Sequence, residues 1–191
     1  MTIAIIGLGL IGGSLGLALK RAGQGPIVGC ALHPRTLALA QELGAIDLAR
    51  ESPEAAVEGA GLVILAAPIR ALPRLMARIA PHLLSGAVVT DTASTKASVM
   101  KWATEDLPRG VYFVGGHPMA GKEKSGPQAA EETLFDGRPY CIVPSVDAVP
   151  GAVNSVIGLA ETLGARPFFL DADEHDAYAA AISHVPLVAS L

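Results

Sequence analysis

The sequence has little of what binding to a polyanion requires. It contains no cluster of lysine or arginine, and its formal net charge at pH 7 is −4. Nucleic acids and anionic membranes are bound through concentrated positive charge, so we expect neither as a partner. Only 17% of the residues are charged and 51% are hydrophobic, a balance typical of a domain whose sheet is covered on both faces.

Cysteine and metal-ligand spacings are also scarce. Cys30 and Cys141 are isolated and lie beside apolar residues, which predicts two reduced, packed thiols in a cytoplasmic protein. No HExxH-like spacing occurs. His175 and His184 are nine residues apart, about two and a half helical turns, so they should project from opposite faces of one helix. We therefore expect no metal site.

The first nineteen residues contain no charge, so a membrane span or signal peptide has to be considered. This stretch lacks a basic segment, holds five glycines and is followed by alternating strand and helix patterns. These features argue against both alternatives. The first strand should begin at residue 2 or 3, and on that ground we expect no targeting peptide and no membrane contact.

The same stretch carries a glycine motif in a specific context. The β-branched run 3–6 predicts a buried strand, and an apolar, helix-forming run extends to about Leu19. Between them, the first glycine would allow a tight turn, the second would let a pyrophosphate approach the backbone, and the third would let the helix pack close to the strand. The helix N-terminus would then face the phosphates. The cofactor contacts predicted here are Gly7, Gly9, Leu10, Ile11 and Gly12.

Strand and helix patterns alternate along the rest of the chain. Strands are predicted at 27–31, 46–49, 61–67, 87–90, 112–114, 140–143 and 167–170. Helices are predicted at 34–43, from 52, and at 69–82, 96–104, 128–134 and 149–163, then from 173 to the end. This alternation predicts an α/β fold with a doubly wound, mostly parallel, Rossmann-like sheet.

In such a sheet the ligand crevice lies at the carboxyl ends of the strands. Ala67, Pro68 and Asp91 fall at strand ends and are predicted to contact the cofactor beside the glycine turn. The stretch 115–121, GGHPMAG, is predicted to be a loop at another strand end. An imidazole there could polarise or deprotonate a hydroxyl near neutral pH, so His117 is the predicted catalytic group. We interpret His33 and His82 as structural.

The stretch 91–96, DTASTK, allows two interpretations. Ser94 or Thr95 could be the N-cap of the next helix. Alternatively, a hydroxyl and the Lys96 ammonium could face a nicotinamide and a substrate oxygen. We favour the catalytic interpretation for Ser94 and leave Thr95 open.

Five motifs occur in order: GLGLIGGSLG, DxxSxK, GGHPMAG, EKSG, and HD followed by AxxSHxP. Together they resemble the prephenate/arogenate dehydrogenase family of tyrosine biosynthesis, over essentially the whole chain. The resemblance implies an N-terminal NAD(P)-binding domain, here 1–171, followed by a helical domain that supplies dimer contacts and part of the substrate pocket. Residues 172–191 would be the first helix of that domain, which is otherwise missing from this chain. A homodimer is implied for the full-length protein.

The resemblance also implies a reaction: oxidative decarboxylation of a cyclohexadienol, with hydride transfer to nicotinamide C4. Prephenate would give 4-hydroxyphenylpyruvate, or arogenate would give tyrosine. His117 matches the family histidine that takes the proton of the ring hydroxyl, and Ser94 matches the serine that orients both groups. Glu123 matches an acidic position at the pocket mouth, and His184 lies in the matched SHxP stretch, which implies substrate binding.

Two departures from the family pattern bear on specificity. NAD-preferring members carry an acidic residue at the end of the second strand, where this chain has Ala31. Without that carboxylate, Arg35 or His33 could pair with a 2′-phosphate, which favours NADP slightly over NAD. Many prephenate-using members read SHxPH, but here Leu187 replaces the last histidine, a weak indication for arogenate.

Two other functions are compatible with part of the pattern. A β-hydroxyacid dehydrogenase shares the glycine motif and a strand-end serine, but it uses a lysine on a later helix, and 151–164 contains none. A module that only binds the cofactor would need neither His117 nor Ser94.

Overall fold

The computed structural model describes residues 1–181, so the predicted substrate contact His184 lies outside the described residues. One eight-stranded sheet has the order β3-β2-β1-β4-β5-β6-β7-β8. The strands are β1 (Ile3–Ile6), β2 (Ile27–Cys30), β3 (Leu48–Arg50), β4 (Leu62–Leu65), β5 (Val88–Asp91), β6 (Tyr112–Pro118), β7 (Pro139–Pro144) and β8 (Arg166–Phe169). The helices are α1 (Leu10–Arg21), α2 (Pro34–Glu42), α3 (Pro53–Val57), α4 (Leu72–Ile79), α5 (Ala97–Asp106), α6 (Pro150–Thr162) and α7 (Ala172–Ala179).

Four adjacent strands, β2, β1, β4 and β5, are buried at every residue, because helices cover the sheet on both faces. One core layer includes Leu15 of α1 and Val156 of α6. The other includes Met76 of α4 and Val99 of α5. All neighbouring strands are parallel except β6 and β7. The prediction of a doubly wound, mostly parallel sheet is confirmed.

The antiparallel pair changes the expected position of His117. Strand β6 was expected to end at Val114, but it continues to Pro118 because His117 pairs with Cys141 of β7. The prediction that GGHP forms a loop is therefore wrong. His117 lies within a strand, and the loop begins after Pro118.

The helix predicted at 128–134 is also wrong. The structure has a 3₁₀ turn at Pro127–Ala129 instead, which follows Gly126 at φ +89°. The segment docks on α1, where the backbone N–H of Glu131 donates to the hydroxyl of Ser14 at 2.9 Å. The long helix predicted at 69–82 is present as α4 flanked by two 3₁₀ turns.

Several local predictions agree with the structure. The Ser52 hydroxyl caps α3 by accepting from the N–H of Ala55 at 3.2 Å. Cys30 and Cys141 are free and buried, and burial raises the pKa of both thiols.

Separately from these local predictions, none of the helices within residues 1–181 is long and apolar enough to cross a membrane. The predicted domain boundary at residue 171 stays a prediction.

Candidate active site

The order of the strands reverses between β1 and β4, and the predicted cofactor residues meet at this point. The glycine turn follows β1, and Ala67 and Pro68 follow β4. The turn is tied to both neighbouring strands, because Gly7 donates its N–H to the Cys30 carbonyl and Ala66 donates to the Ile6 carbonyl, each at 2.8 Å. A crevice at the carboxyl edge beside such a reversal is where open α/β sheets bind ligands.

Each motif glycine has a different geometric requirement. Gly7 adopts φ +100°, and a methyl group there would lie 2.4 Å from the Ala66 carbonyl oxygen. A methyl group at Gly12 would lie 1.8 Å from the Gly7 carbonyl oxygen. Around Gly9 there is open space, with nothing within 4 Å of an added methyl group. Gly7 and Gly12 therefore permit close packing, and Gly9 leaves the backbone accessible.

Helix α1 begins directly after Gly9 and has no acidic residue in its first turn. The N–H groups of a first turn have no partner inside the helix, and the helix dipole places positive charge there. With the open space at Gly9, this helix end fits the pyrophosphate of a dinucleotide. Leu10 and Ile11, the other predicted contacts, are the first two residues of α1 and are half-buried.

The end of β2 lies on the other side of the glycine turn. Half-buried Ala31 follows the strand, and then Leu32 is 90% exposed. His33 and Arg35, at the start of α2, are both exposed. This edge presents a guanidinium and an imidazole at the position where an acidic residue would bind ribose hydroxyls.

The Asp91 side chain does not face the crevice. It is fully buried, and its carboxylate pairs with the fully buried Lys96 ammonium at 2.5 Å. The same carboxylate accepts from the backbone N–H of Ala93 at 2.9 Å and of Gly116 at 3.1 Å. Both charges of this pair are enclosed in the protein, so the structure does not support the alternative in which the Lys96 ammonium faces a substrate oxygen. The contact of Asp91 with the cofactor stays a prediction.

The two glycines before His117 lie close to the end of β5 and the start of α5. A methyl group at Gly116 would lie 2.6 Å from the Asp91 carbonyl oxygen, and one at Gly115 would lie 3.1 Å from the Lys96 side chain. Strand β6 therefore crosses closely over the end of β5. The crossing fixes the backbone on which His117 is carried.

His117 is hydrogen-bonded to a second histidine. Its Nδ1 lies 2.9 Å from Nε2 of His175 on α7, and Nδ1 of His175 lies 2.8 Å from Oδ1 of Asp176. Burial, followed by the charges of Lys96 and His175, lowers the pKa of His117 from 6.5 to about 4, against the opposing charge of Asp176. At neutral pH the His117 ring is uncharged and can accept a proton.

Asp176 has a further contact that resolves the capping question. Its two carboxylate oxygens accept from the backbone N–H of Lys96 at 2.6 Å and of Ala97 at 3.0 Å, at the start of α5. Burial by itself would raise the pKa of Asp176, but hydrogen bonds from His175, Ala97 and Lys96 outweigh burial and lower it. Neither Ser94 nor Thr95 caps α5. Ser94 is exposed in the loop that precedes the helix.

The remaining predicted substrate residue lies apart from this network. Glu123 is exposed in the loop between β6 and β7, beside Lys122, which forms an ion pair with Glu131. An apolar cavity of about 480 Å³ is lined by residues of β7, β8 and α7 and of the loop after β6, among them Cys141, Phe168, His175, Tyr178 and Met119. No predicted cofactor contact lines it. Within residues 1–181, no cluster of side chains is suited to hold a metal ion.

Sequence reasoning missed His175 and Asp176 as members of the site. The only signal for them was the HD pair within the family resemblance, to which no role was attached. Their partners, His117 and Lys96, are 58 and 80 residues away in sequence, so no local spacing could reveal the contacts.

Comparisons with known proteins agree with the fold. Residues 15–168 match the family model described as the prephenate dehydrogenase nucleotide-binding domain. The chain is 36% identical to prephenate dehydrogenase of Bacillus subtilis over 97% of its own length and 50% of that protein's. It is 34% identical to cyclohexadienyl dehydrogenase of Zymomonas mobilis over 97% of its length and 64% of the relative's. The chain thus spans about half to two thirds of these relatives.

Solved structures give the same relationship. The crystal structure of Synechocystis arogenate dehydrogenase superimposes with a TM-score of 0.91 at 32% identity, covering 98% of this chain and 66% of that one. Prephenate dehydrogenase from Aquifex aeolicus, solved with hydroxyphenyl propionate and NAD⁺, also gives 0.91, at 29% identity, with 99% and 66% covered. Since the family model spans most of the chain and the fold agrees, this chain belongs to the prephenate dehydrogenase family and comprises its nucleotide-binding domain.

Proposed function

We propose that the full-length protein catalyses the NAD(P)⁺-dependent oxidative decarboxylation of prephenate or arogenate. The observation that carries this proposal is an uncharged imidazole, that of His117, held at the carboxyl edge of a nucleotide-binding sheet. The relatives named prephenate and cyclohexadienyl dehydrogenase support the substrate class. Bound NAD(P)⁺ would supply the hydride acceptor.

The chain's own residues would act on the ring hydroxyl of the substrate. His117 accepts the hydroxyl proton as the ring carbon gains carbonyl character, which is general base catalysis. The exposed Ser94 hydroxyl orients the substrate hydroxyl toward the imidazole. In this proposal Glu123 lies at the mouth of the substrate pocket beside the bound cofactor, and His184 completes the substrate contacts. Loss of CO₂ then leaves an aromatic ring, and the proton held by His117 returns to the phenol oxygen.

The base is tested by replacing His117 with asparagine in the full-length protein. We expect kcat to fall by about 10²–10⁴-fold with both substrates, because the proton acceptor is lost. The affinity for the cofactor, measured by calorimetry, should stay within about twofold, because His117 is not part of the glycine turn. His82→Asn, which removes a partly exposed imidazole before β5, is the matched control. Turnover of His117→Asn within a few-fold of the wild type would refute the assignment.

The cofactor carries a 2′-phosphate in this proposal. Ala31 presents no carboxylate to repel it, and the exposed Arg35 guanidinium can form paired hydrogen bonds with a phosphate. Calorimetric titrations of the chain with NADP⁺ and NAD⁺ test this preference, and Arg35→Ala should weaken NADP⁺ binding alone. Arg109→Ala, at the amino edge of the sheet before β6, is the control. A tenfold preference for NAD⁺ that Arg35→Ala leaves unchanged would show that the ribose position has been misassigned.

The choice of substrate is measured as the ratio of kcat/KM for arogenate and prephenate in the full-length protein. The leucine at 187 favours arogenate, which carries an amino group where prephenate carries a keto oxygen. A ratio in favour of prephenate would contradict the preference without affecting the reaction class. The homodimer implied for the full-length protein stays a prediction.

A further inference from the structure

His175 and Asp176 form a row of hydrogen bonds that ends at His117. His175, on α7, is 1% exposed, and both of its ring nitrogens are engaged. One ring nitrogen contacts the Asp176 carboxylate at 2.8 Å, and the other contacts Nδ1 of His117 at 2.9 Å. Asp176 is itself fixed by two backbone N–H groups at the start of α5. A continuous row of hydrogen bonds thus leads from α5 to His117.

The hydrogen-bonding capacity of each group determines where the protons lie. An ionised carboxylate can only accept, and Asp176 is ionised at neutral pH because its pKa is lowered. The His175 Nδ1 must therefore carry a hydrogen. In a neutral ring the other nitrogen is then a bare acceptor, so His175 Nε2 accepts from Nδ1–H of His117. His117 is left with a free lone pair on Nε2.

The two other protonation states of His175, the opposite tautomer and the doubly protonated ring, are both disfavoured. A hydrogen on Nε2 of a neutral His175 would leave its Nδ1 lone pair directed at the carboxylate, which is repulsive at 2.8 Å. A second proton on His175 would place a cation against His117, which is already exposed to the charge of the buried Lys96. The charged groups around the pair are Asp176 on α7, Asp91 at the end of β5 and Lys96 before α5, and the last two form a buried ion pair.

We infer that His175 and Asp176 are positioning residues that hold His117 in the tautomer with the hydrogen on Nδ1, so that Nε2 is the proton acceptor. This inference rests on the proposed function of His117 as the base. When Nε2 takes the hydroxyl proton, the Nδ1–H still donates to His175, and no other proton has to move. The carboxylate of Asp176 stabilises the imidazolium through the intervening ring.

The same carboxylate also fixes the position of the substrate-orienting loop. Asp176 binds the first N–H groups of α5, and the loop that ends there carries Ser94. One side chain on α7 therefore sets both the ring of the base and the start of the helix behind the serine. Loss of this carboxylate should affect turnover more than cofactor binding, because the glycine turn lies on other elements.

The tautomer can be read directly by long-range ¹H–¹⁵N NMR of the chain labelled at histidine, which separates protonated from unprotonated ring nitrogens. Signals are assigned by comparison with His117→Asn and His175→Gln. At pH 7 the wild type should show a hydrogen on Nδ1 and none on Nε2 of His117. A hydrogen on Nε2, or a doubly protonated His117 ring, would overturn the inference without any variant.

Asp176→Asn provides the perturbation. The amide can donate as well as accept, so it no longer dictates the His175 tautomer, and the signal of Nε2–H at His117 should appear. In the full-length protein, kcat should fall by about 10²–10⁴-fold while the Kd for cofactor stays within about twofold. Asp173→Asn, an exposed position of the same helix, is the control for both measurements. An Asp176→Asn variant that keeps the wild-type tautomer and kcat would contradict the inference.

Because Asp176 also caps α5, thermal melts check that the variant is folded. If Asp176→Asn is not folded, the inference is tested instead by the tautomer of the wild type and by the kcat of His175→Gln. Unchanged turnover in His175→Gln would overturn the inference. These experiments distinguish failure of the positioning role from failure of the proposed reaction. A protein with the Nδ1–H tautomer but no turnover of either substrate would refute the reaction, whereas turnover with the other tautomer would refute the positioning role.

Discussion

Acid should destabilise the protein through His117, and removal of this ring should abolish that part of the pH dependence. The pKa of His117 is about 4 in the folded protein and returns to its ordinary value of 6.5 when the chain unfolds. Between these values the unfolded chain binds a proton that the folded chain does not. The free energy of unfolding therefore falls as the pH falls. The contribution is complete above pH 6.5 and is lost as the pH approaches 4.

The size of the effect follows from the two pKa values. Proton linkage gives a loss of about 2 kcal/mol from this one ring between pH 7 and pH 5. The carboxyl of Asp176 does not interfere in this range, because its pKa is lowered from an ordinary value of 3.8. A typical domain has a free energy of unfolding of roughly 5–15 kcal/mol, so a loss of about 2 kcal/mol between the two pH values is measurable.

Urea denaturation at pH 7 and pH 5 tests the prediction with the wild type and His117→Asn. The substitution itself will change stability at both pH values, so only the change between the two pH values is compared. We expect the wild type to lose about 2 kcal/mol more than the variant. His33→Asn is the control, because that exposed ring contacts solvent in both states. Equal losses in the wild type and His117→Asn would refute the argument that the buried ring is held neutral.

Three further predictions concern the fold that supports the site. Asp91→Asn should lower the free energy of unfolding by about 3 kcal/mol, because it leaves the buried Lys96 ammonium unpaired, and Lys96→Met added to it should recover most of the loss in urea titrations. Gly12→Ala should cost about 3 kcal/mol by forcing α1 off the turn, whereas Gly9→Ala should cost less than about 1 kcal/mol and weaken cofactor binding in calorimetry. Ser52→Ala should cost about 1 kcal/mol in thermal melts, since it removes the cap of α3, and an unchanged melting temperature would contradict that cap.

The predictions that succeeded rest on local patterns. A strand covered on both faces has to be apolar at nearly every residue, so β1, β2, β4 and β5 are visible as continuous runs. The glycine motif is visible because a turn with positive φ and a close helix crossing each exclude a side chain. The order of these patterns was enough to predict the sheet and the edge at which the cofactor residues meet.

The errors lie where a distant segment decides the local structure. Nothing within GGHPMAG shows that its first half pairs with β7, which follows about twenty residues later. A buried Lys96 looks like any polar residue in a loop until its partner Asp91 and the covering β6 are in place. The helix expected after Gly126 was lost to docking of that segment on α1.

Local patterns in the sequence were therefore enough to predict the fold class, the glycine turn and the family, and to single out His117 as the candidate base. Which nitrogen of His117 is available follows only from contacts between segments that are distant in the chain. That property depends on His175 and Asp176, which α7 brings across from 58 and 59 positions along the chain. Hydrogen-bond direction is set by the partner and not by the residue itself, so it becomes defined only when the helix is packed against the strand.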